Sequence, residues 1–465
     1  MWRRLAFLLA VLAMLALGAC ATSGNPPAPA PAMPGAWAES GAPDADAAAP
    51  ARDWWRSFGS AELSGLIDAA LAASPDMAIA AEHVRQAEAQ VRIAGSTLFP
   101  ALNFSAGTGR GEARPPGGSW GGDNSSSAAL SASYELDLWG KNASGVRSAD
   151  SSLRASRFDQ ETVRLTLVAG VASGYFQVLS LRERLVIARE NLAIAERVFK
   201  VVDARARYGA VSALDVARQQ AVVLAQRAVI PPLELQERQT LFALSILLGR
   251  QPEGFDAAAS SVSAVLVPRI APGIPAALLL RRPDLASAEA QLAAANANVA
   301  VARAALLPSI SLTGSAGLAS EVLVNFLSAP TAAWSVGASL LQPIFDGGRL
   351  RAQVDVAASR ERELVENYRK FILAALADVE SALAAGSRSV DQEVLQEQVL
   401  VQARLALKLA EVRYRQGADD LLTVLDAQRT LFQAEDQLAQ IRLARLLASV
   451  GLFKALGGGW KMPET

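Results

Sequence analysis

PDMAIAAEHVRQAEAQVRIAGSTLFP, residues 75–100, and PDLASAEAQLAAANANVAVARAALLP, residues 283–308, are the two stretches on which the fold turns. At a separation of 208 they agree at ten of 26 positions, among them Pro75-Asp76 with Pro283-Asp284, Val91 with Val299, and Leu98-x-Pro100 with Leu306-x-Pro308. Five of the ten are alanine in an alanine-rich chain, so this match alone is only suggestive. The same separation recurs downstream, where Gly209, Leu214, Val216 and Gln220 meet Gly417, Leu422, Val424 and Gln428. A register kept over more than 100 residues is hard to obtain by chance. Its period is far longer than the roughly 20–50 residues of a solenoid unit. The chain reads as two fused copies of one structural half, 52–270 and 271–465.

Each half runs in the same order. A helix of about 20 residues (Met77 to Ser96; Leu285 to Ala305) is entered at Pro75 or Pro283 and stopped by Pro100 or Pro308. Two period-two runs follow, at about 99–110 and 128–138 in the first half and about 308–318 and 333–345 in the second. Leu102 and Phe104, Leu130 to Leu136, Ile310 to Gly314, and Trp334 to Leu340 alternate with Ser, Thr, Asn and Gly, as strands with one apolar and one polar face do. Proline-free helical runs come next, at about 146–208 and 350–415. At 1.5 Å per residue each reaches about 100 Å, more than a globular domain needs. Gly209 and Gly417 break them, and return helices follow at about 212–248 and 419–452. A return helix and the 20-residue helix of the same half together nearly match the long one, so the two are expected to stack end to end beside it.

Period two alone also fits a soluble sheet on a core. The N-terminus supplies context: Met1-Trp2-Arg3-Arg4 precedes an apolar run, Leu5 to Ala19, of 15 residues. That is short of the roughly 20 needed to cross a bilayer and has the form of a signal peptide, 1–19. Leu17-Gly18-Ala19-Cys20 resembles the bacterial lipoprotein cleavage box, which implies a covalent lipid on Cys20, the chain's one cysteine. Ala21 beside it implies sorting to the outer membrane. Residues 20–51 are rich in Pro, Ala, Gly and Ser and read as an extended tether from that anchor.

In an exported protein, strands of about ten residues are long enough to span a membrane. Four strands cannot close a barrel, and an open edge is not tolerated in hydrocarbon, so several chains must share the sheet. Two chains make eight strands with a filled interior, whereas three make twelve and leave a channel. The fold class expected is therefore a mixed α/β membrane protein, a β-barrel shared between chains, twelve-stranded if it is trimeric, continued by a long α-helical barrel. Charge is balanced, 44 Lys+Arg against 45 Asp+Glu, which argues against nucleic acid as a partner. With one histidine, His83, and the only cysteine committed to lipid, no nucleophile, base and orienter assemble and no metal site is expected. Gly107-x-Gly109-x-Gly111 runs into PPGGSWGGDN and not a helix, so it reads as an outer loop without a phosphate role. Trp54, Trp55 and Phe58 are expected to tie the start of the body to the helices, and Tyr134, Trp139, Trp334 and Phe345 to be barrel or interfacial aromatics.

The segments SYELDLWGK (133–141), IPPLELQERQTLFALSILLGRQP (230–252), LLQPIFDGGRLRA (340–352), RYRQGADDLLTVLDAQRTLFQAEDQL (413–438) and LFKALGGGW (452–460), with 278–317, resemble the TolC-like outer membrane factors, in particular their lipoprotein branch. The resemblance covers nearly all of the chain past the tether. It implies a homotrimeric, passive efflux duct for drugs, organic compounds or metal ions, without enzymatic activity and without a cofactor. Such a duct sits in the outer membrane and extends into the periplasm, where its closed tip docks on an adaptor protein and an inner-membrane pump. A structural or adhesive lipoprotein without conductance is the alternative. The resemblance places a gate at Leu422 and Asp426 and tip latches at Arg413 and Tyr414. Leu422 and Asp426 lie i,i+4 on one helix face, so threefold repetition would make an apolar collar and an acidic ring. Spacing alone leaves Asp426 free to be an ordinary helix residue. The first half departs here: Arg218 stands where the second has Asp426, and Asp215 where it has Thr423, so both join the latch candidates. Nothing in the residues names the cargo.

Overall fold

The computed structural model describes residues 32–39, 49–114, 116–118, 121–259, 261–262, 265–320 and 330–463; Cys20, the signal segment and most of the tether lie outside them. A 3-10 turn at Trp54–Phe58 leads into α1 (Ala61–Ala73), α2 (Pro75–Ser96), β1 (Ala101–Ala113), β2 (Gly121–Leu136), α3 (Lys141–Arg207) and α4 (Ala213–Leu247). After a connector come α5 (Pro283–Ala304), β3 (Ser309–Ser320), β4 (Thr331–Leu341), α6 (Arg349–Arg415) and α7 (Leu421–Ala455). The long helices both have 67 residues and the return helices both have 35.

Several boundaries differ from the sequence expectation for identifiable reasons. The first long helix starts at Lys141, ahead of the expected 146, because Asp137 accepts from the free N–H groups of Asn142 (3.0 Å) and Ala143 (2.8 Å). Asp346 does the same for Gly348 and Leu350 ahead of α6. The strand expected at 128–138 begins earlier, at Gly121, since its Gly- and Ser-rich first half is held by pairing with β1 and not by its own alternation. The strand expected to reach 345 ends at Leu341, just before Gln342-Pro343, where proline has no N–H for a ladder. Helix α4 runs unbroken through Pro231 and Pro232. The two missing donors leave the carbonyls of Arg227 and Ala228 without helical partners, while Ile230 and Leu233 pack on Leu181, Leu185 and Ala188 of α3.

The strands form one antiparallel sheet in the order β1-β2-β3-β4. Its register aligns the apolar sets: Phe104 faces Leu130, Tyr134 faces Leu312, Leu136 faces Ile310, Ile310 faces Leu340, and Ala316 faces Trp334. One face is thereby apolar across all four strands and the other carries Asn103, Ser105, Ser131, Ser133, Thr313, Ser315 and Ser335. Among the described residues nothing covers the apolar face; Trp334 is 81% and Val336 80% exposed. It ends on β1 at the Arg110–Glu112 ion pair (3.2 Å). The outer backbone groups of β1 and β4 pair with no other strand among the described residues.

Contacts divide the chain into two compact units. One comprises His83–Arg157 and Ser287–Arg369 and contains the sheet. The second contains the main core, where Trp54, Trp55 and Phe58 of the 3-10 turn pack with Leu63 and Ile67 of α1, Phe176 and Leu179 of α3, Leu244 of α4 and Phe453 of α7. Trp54 stacks on Phe453 with ring centroids 4.7 Å apart. Burial pushes the Tyr175 phenol up to about 12, so it stays protonated while bonding Ser60 and Glu62. Leu165 to Leu181 of α3 is apolar because it runs through this core, which accounts for a hydropathy high enough for a membrane span.

The tether is not uniformly extended as its composition suggests. Trp37 is buried and its Nε1 donates to the carbonyl of Gly273 at 2.9 Å, while the successive N–H groups of Ala38 and Glu39 both donate to the carboxylate of Glu380 on α6, at 2.8 and 3.0 Å. Charge-assisted bonds of this kind contribute about 1.5 kcal/mol or more. Glu380→Ala should therefore expose residues 33–39 to limited proteolysis roughly tenfold more readily, with the melting transition of the helical body unchanged. Cleavage at the parental rate would show that the carboxylate does not hold the segment.

Candidate functional site

Both return helices start from glycine turns, Gly209 at φ +72° and Gly417 at φ +76°, a conformation costly for any other residue. The caps that follow explain the exchange of Asp215 for Thr423. At α4, Ser212 caps and Asp215 reciprocates, with Asp215 N to Ser212 Oγ 3.2 Å and Ser212 N to Asp215 Oδ2 3.1 Å. At α7 the order is reversed: Asp420 caps, accepting from the Thr423 N–H at 3.1 Å. The Ser212 bonds hold the Asp215 carboxyl below its ordinary value, aided by the charge of Arg218. Asp215 is thus a capping residue and Arg218 an exposed cation near it; neither meets Asp426.

Helix α7 divides cleanly beyond the turn. Leu421, Val424, Gln428 and Leu431 are buried with Val202, Leu407 and Tyr414, whereas Leu422 is 57% exposed and Asp426 exposed on the opposite side. The i,i+4 pair therefore points away from the core. With Leu425 and Arg429 it lines a cleft of about 400 Å³ against Val222, Ala225 and Gln226 of α4. Arg429 places Nη2 2.6 Å from Asp426 Oδ1, so each carboxylate comes with its own countercharge, one not foreseen in the sequence reading.

The two matched latch residues behave differently from one another. Arg413 forms a two-pronged bond to Asp419 within its own turn, 2.6 and 3.0 Å. That bonding holds Asp419 below the ordinary carboxylate range and Arg413 above its own. A lowered carboxylate stabilises the fold above its unfolded value, and this contribution is lost only as pH falls through the lowered folded value. Tyr414 is 5% exposed and lies under the guanidinium of Arg205, 4.6 Å from Cζ to ring centroid. Arg205 escaped the sequence reading; its one signal was standing 208 residues before Arg413. Among the described residues no group of three or more His, Cys, Asp and Glu is placed to hold a metal.

A family model described as outer membrane efflux protein matches residues 66–250 and 274–458. The chain is 44% identical to the pyoverdine export outer membrane protein OpmQ of Pseudomonas aeruginosa over 97% of this chain and 96% of that one. It is 45% identical to OpmQ of Pseudomonas putida, over 96% of each. Among solved structures, the outer-membrane channel OprN aligns with a TM-score of 0.87 at 28% identity, covering 95% of this chain and all of that one. The chain belongs to the outer membrane efflux protein family.

Proposed function

We propose that three copies of this chain close their four-stranded sheets into one twelve-stranded barrel, continued by the long helices of the two fused halves as a periplasmic tunnel. The observation that carries this reading is the sheet itself: an apolar face suited to contact with lipid, and two open edges whose backbone groups a single chain would leave unpaired within a bilayer. The chain is a passive outer-membrane channel of a tripartite efflux system and catalyses no reaction. An adaptor and an inner-membrane pump are its partners in this reading. Leu422 and Asp426 form the resting constriction, Arg413 and Tyr414 stabilise the tip, and Cys20 carries the lipid anchor. Two relatives above 40% identity are pyoverdine export outer membrane proteins, which motivates assigning this duct pyoverdine as cargo.

Native mass spectrometry of the detergent-extracted protein should give the mass of three mature chains, each starting at Cys20 and each heavier by its acyl groups. The same preparation should conduct in planar bilayers. A folded monomer would refute the shared barrel, an unmodified Cys20 still preceded by residues 1–19 would refute the anchor, and a non-conducting trimer would favour a structural lipoprotein. Loss of pyoverdine secretion on deletion would support the cargo, and unchanged secretion would remove it.

A further inference from the structure

The turns of the two hairpins are joined through one side chain. Arg205, in the last turn of α3, covers the ring of Tyr414 and also donates from Nη2 to the carbonyl of Arg415 at 2.8 Å. Arg415 is the last residue of α6, where carbonyls lack helical partners and carry partial negative charge, so one cation answers both the ring and the helix end. The Tyr414 hydroxyl, by contrast, has no hydrogen-bond partner among the described residues. The contact is made by the ring. Arg413 cannot substitute, because Asp419 already occupies its guanidinium. Nor does the first half offer a reciprocal contact: the position 208 residues before Tyr414 is Ala206, which has no ring. The clasp is therefore made once per chain, from the first hairpin to the second.

We propose that Arg205 is the positioning residue that holds the second hairpin shut, with the face of the Tyr414 ring and the Arg415 carbonyl as its two seats. The proposal rests on the reading of Leu422 and Asp426 as the constriction. These residues follow directly on the turn that Arg205 fastens, so outward movement of α7 with that turn breaks the stacking and the carbonyl bond together.

The test is single-channel recording of the full-length trimer in planar bilayers, with Arg205→Ala, Arg205→Lys, Tyr414→Phe and Tyr414→Leu measured beside the double variant Leu422→Ala/Asp426→Ala. Arg205→Ala should raise the resting open probability about threefold, the scale of a partly exposed cation–π contact. Arg205→Lys should recover part of the closure by keeping the charge without the flat fork. Tyr414→Phe, which keeps the ring, should stay as closed as the parent, whereas Tyr414→Leu should open like Arg205→Ala. If Arg205→Ala stays closed while the double variant opens, the clasp is wrong and the constriction stands. Opening by Tyr414→Phe would make the hydroxyl the latch and overturn the assignment to the ring. If the double variant also leaves conductance unchanged, the constriction reading fails and the clasp with it. Should Arg205→Ala fail to assemble, Arg205→Gln, which retains a donor for the Arg415 carbonyl but no charge, replaces it with the same expected opening.

Discussion

Replacing Leu422 and Asp426 together by alanine should raise resting conductance severalfold, and by more than either replacement alone. The two side chains occupy successive turns of one exposed helix face. In the threefold assembly proposed above they would be two constrictions in series, and opening one would leave the other in place. Leu422→Ala should widen the passage without altering ion preference. Asp426→Ala should also weaken cation preference, by less than a bare carboxylate ring implies, because Arg429 stands 2.6 Å away. Arg429→Ala should then move ion preference the opposite way, unmasking three carboxylates. Reversal potentials in a salt gradient separate these effects. Parental conductance and preference in the double variant, with trimers intact, would place the constriction elsewhere.

The largest stability effects are expected far from that face, at Gly249 and Gly457. Both have positive φ, +64° and +85°, and both bring the end of a return helix against backbone. A Cβ at Gly249 would fall well under 3.0 Å from the carbonyl oxygen of Ala73, at the end of α1; one at Gly457 would meet the carbonyl of Arg281, just ahead of α5. These oxygens belong to main chain and cannot rotate away. Gly457→Ala should therefore cost about 3 kcal/mol or more, strain and collision together, and lower the melting temperature by several degrees. Gly209→Ala and Gly417→Ala share the positive φ but have nothing within 4 Å, so each should cost only about 1–2 kcal/mol. Equal melting temperatures across the four variants would show that the close approach does not matter.

These glycines also show what could be read from the sequence. Pro75, Pro283, Gly209 and Gly417 act locally, through missing donors and left-handed backbone, so helix ends were legible from them. The alternation in Leu130 to Leu136 was legible for a similar reason, because the pleat sends neighbouring side chains to opposite faces. What was not legible depends on distant partners. The start of β2 is Gly and Ser and is fixed by its pairing with β1. Trp37 lies in a stretch whose composition says tether, yet Gly273 accepts from its indole and Glu380 from the N–H groups of the next two residues. At the tip, the i,i+4 spacing of Leu422 and Asp426 identified a face, but Arg429 and Arg205 entered only with three-dimensional geometry. The sequence signal at Gly457-Gly458-Gly459 was a motif without a cause; all three have positive φ and each lies against another part of the chain.

The polar face of the sheet has a consequence for traffic through the duct. From Asn103 to Gly109 on β1, Ser125 to Ser133 on β2, Ser309 to Ala319 on β3 and Thr331 to Ser339 on β4, its side chains are hydroxyls, a single amide, methyls and hydrogens, without a ring; the carboxylate on this face next along β2, Glu135 opposite Ser311, is paired with Lys141 at 2.9 Å. With that face toward the lumen, a molecule that has passed the tip and the Glu135–Lys141 pair at the helix end of the sheet meets a wall lacking any means to retain it by charge or by stacking. Its dwell time there is diffusive, nearly blind to the sign of its charge, and discrimination between cargoes has to be completed before the strands begin.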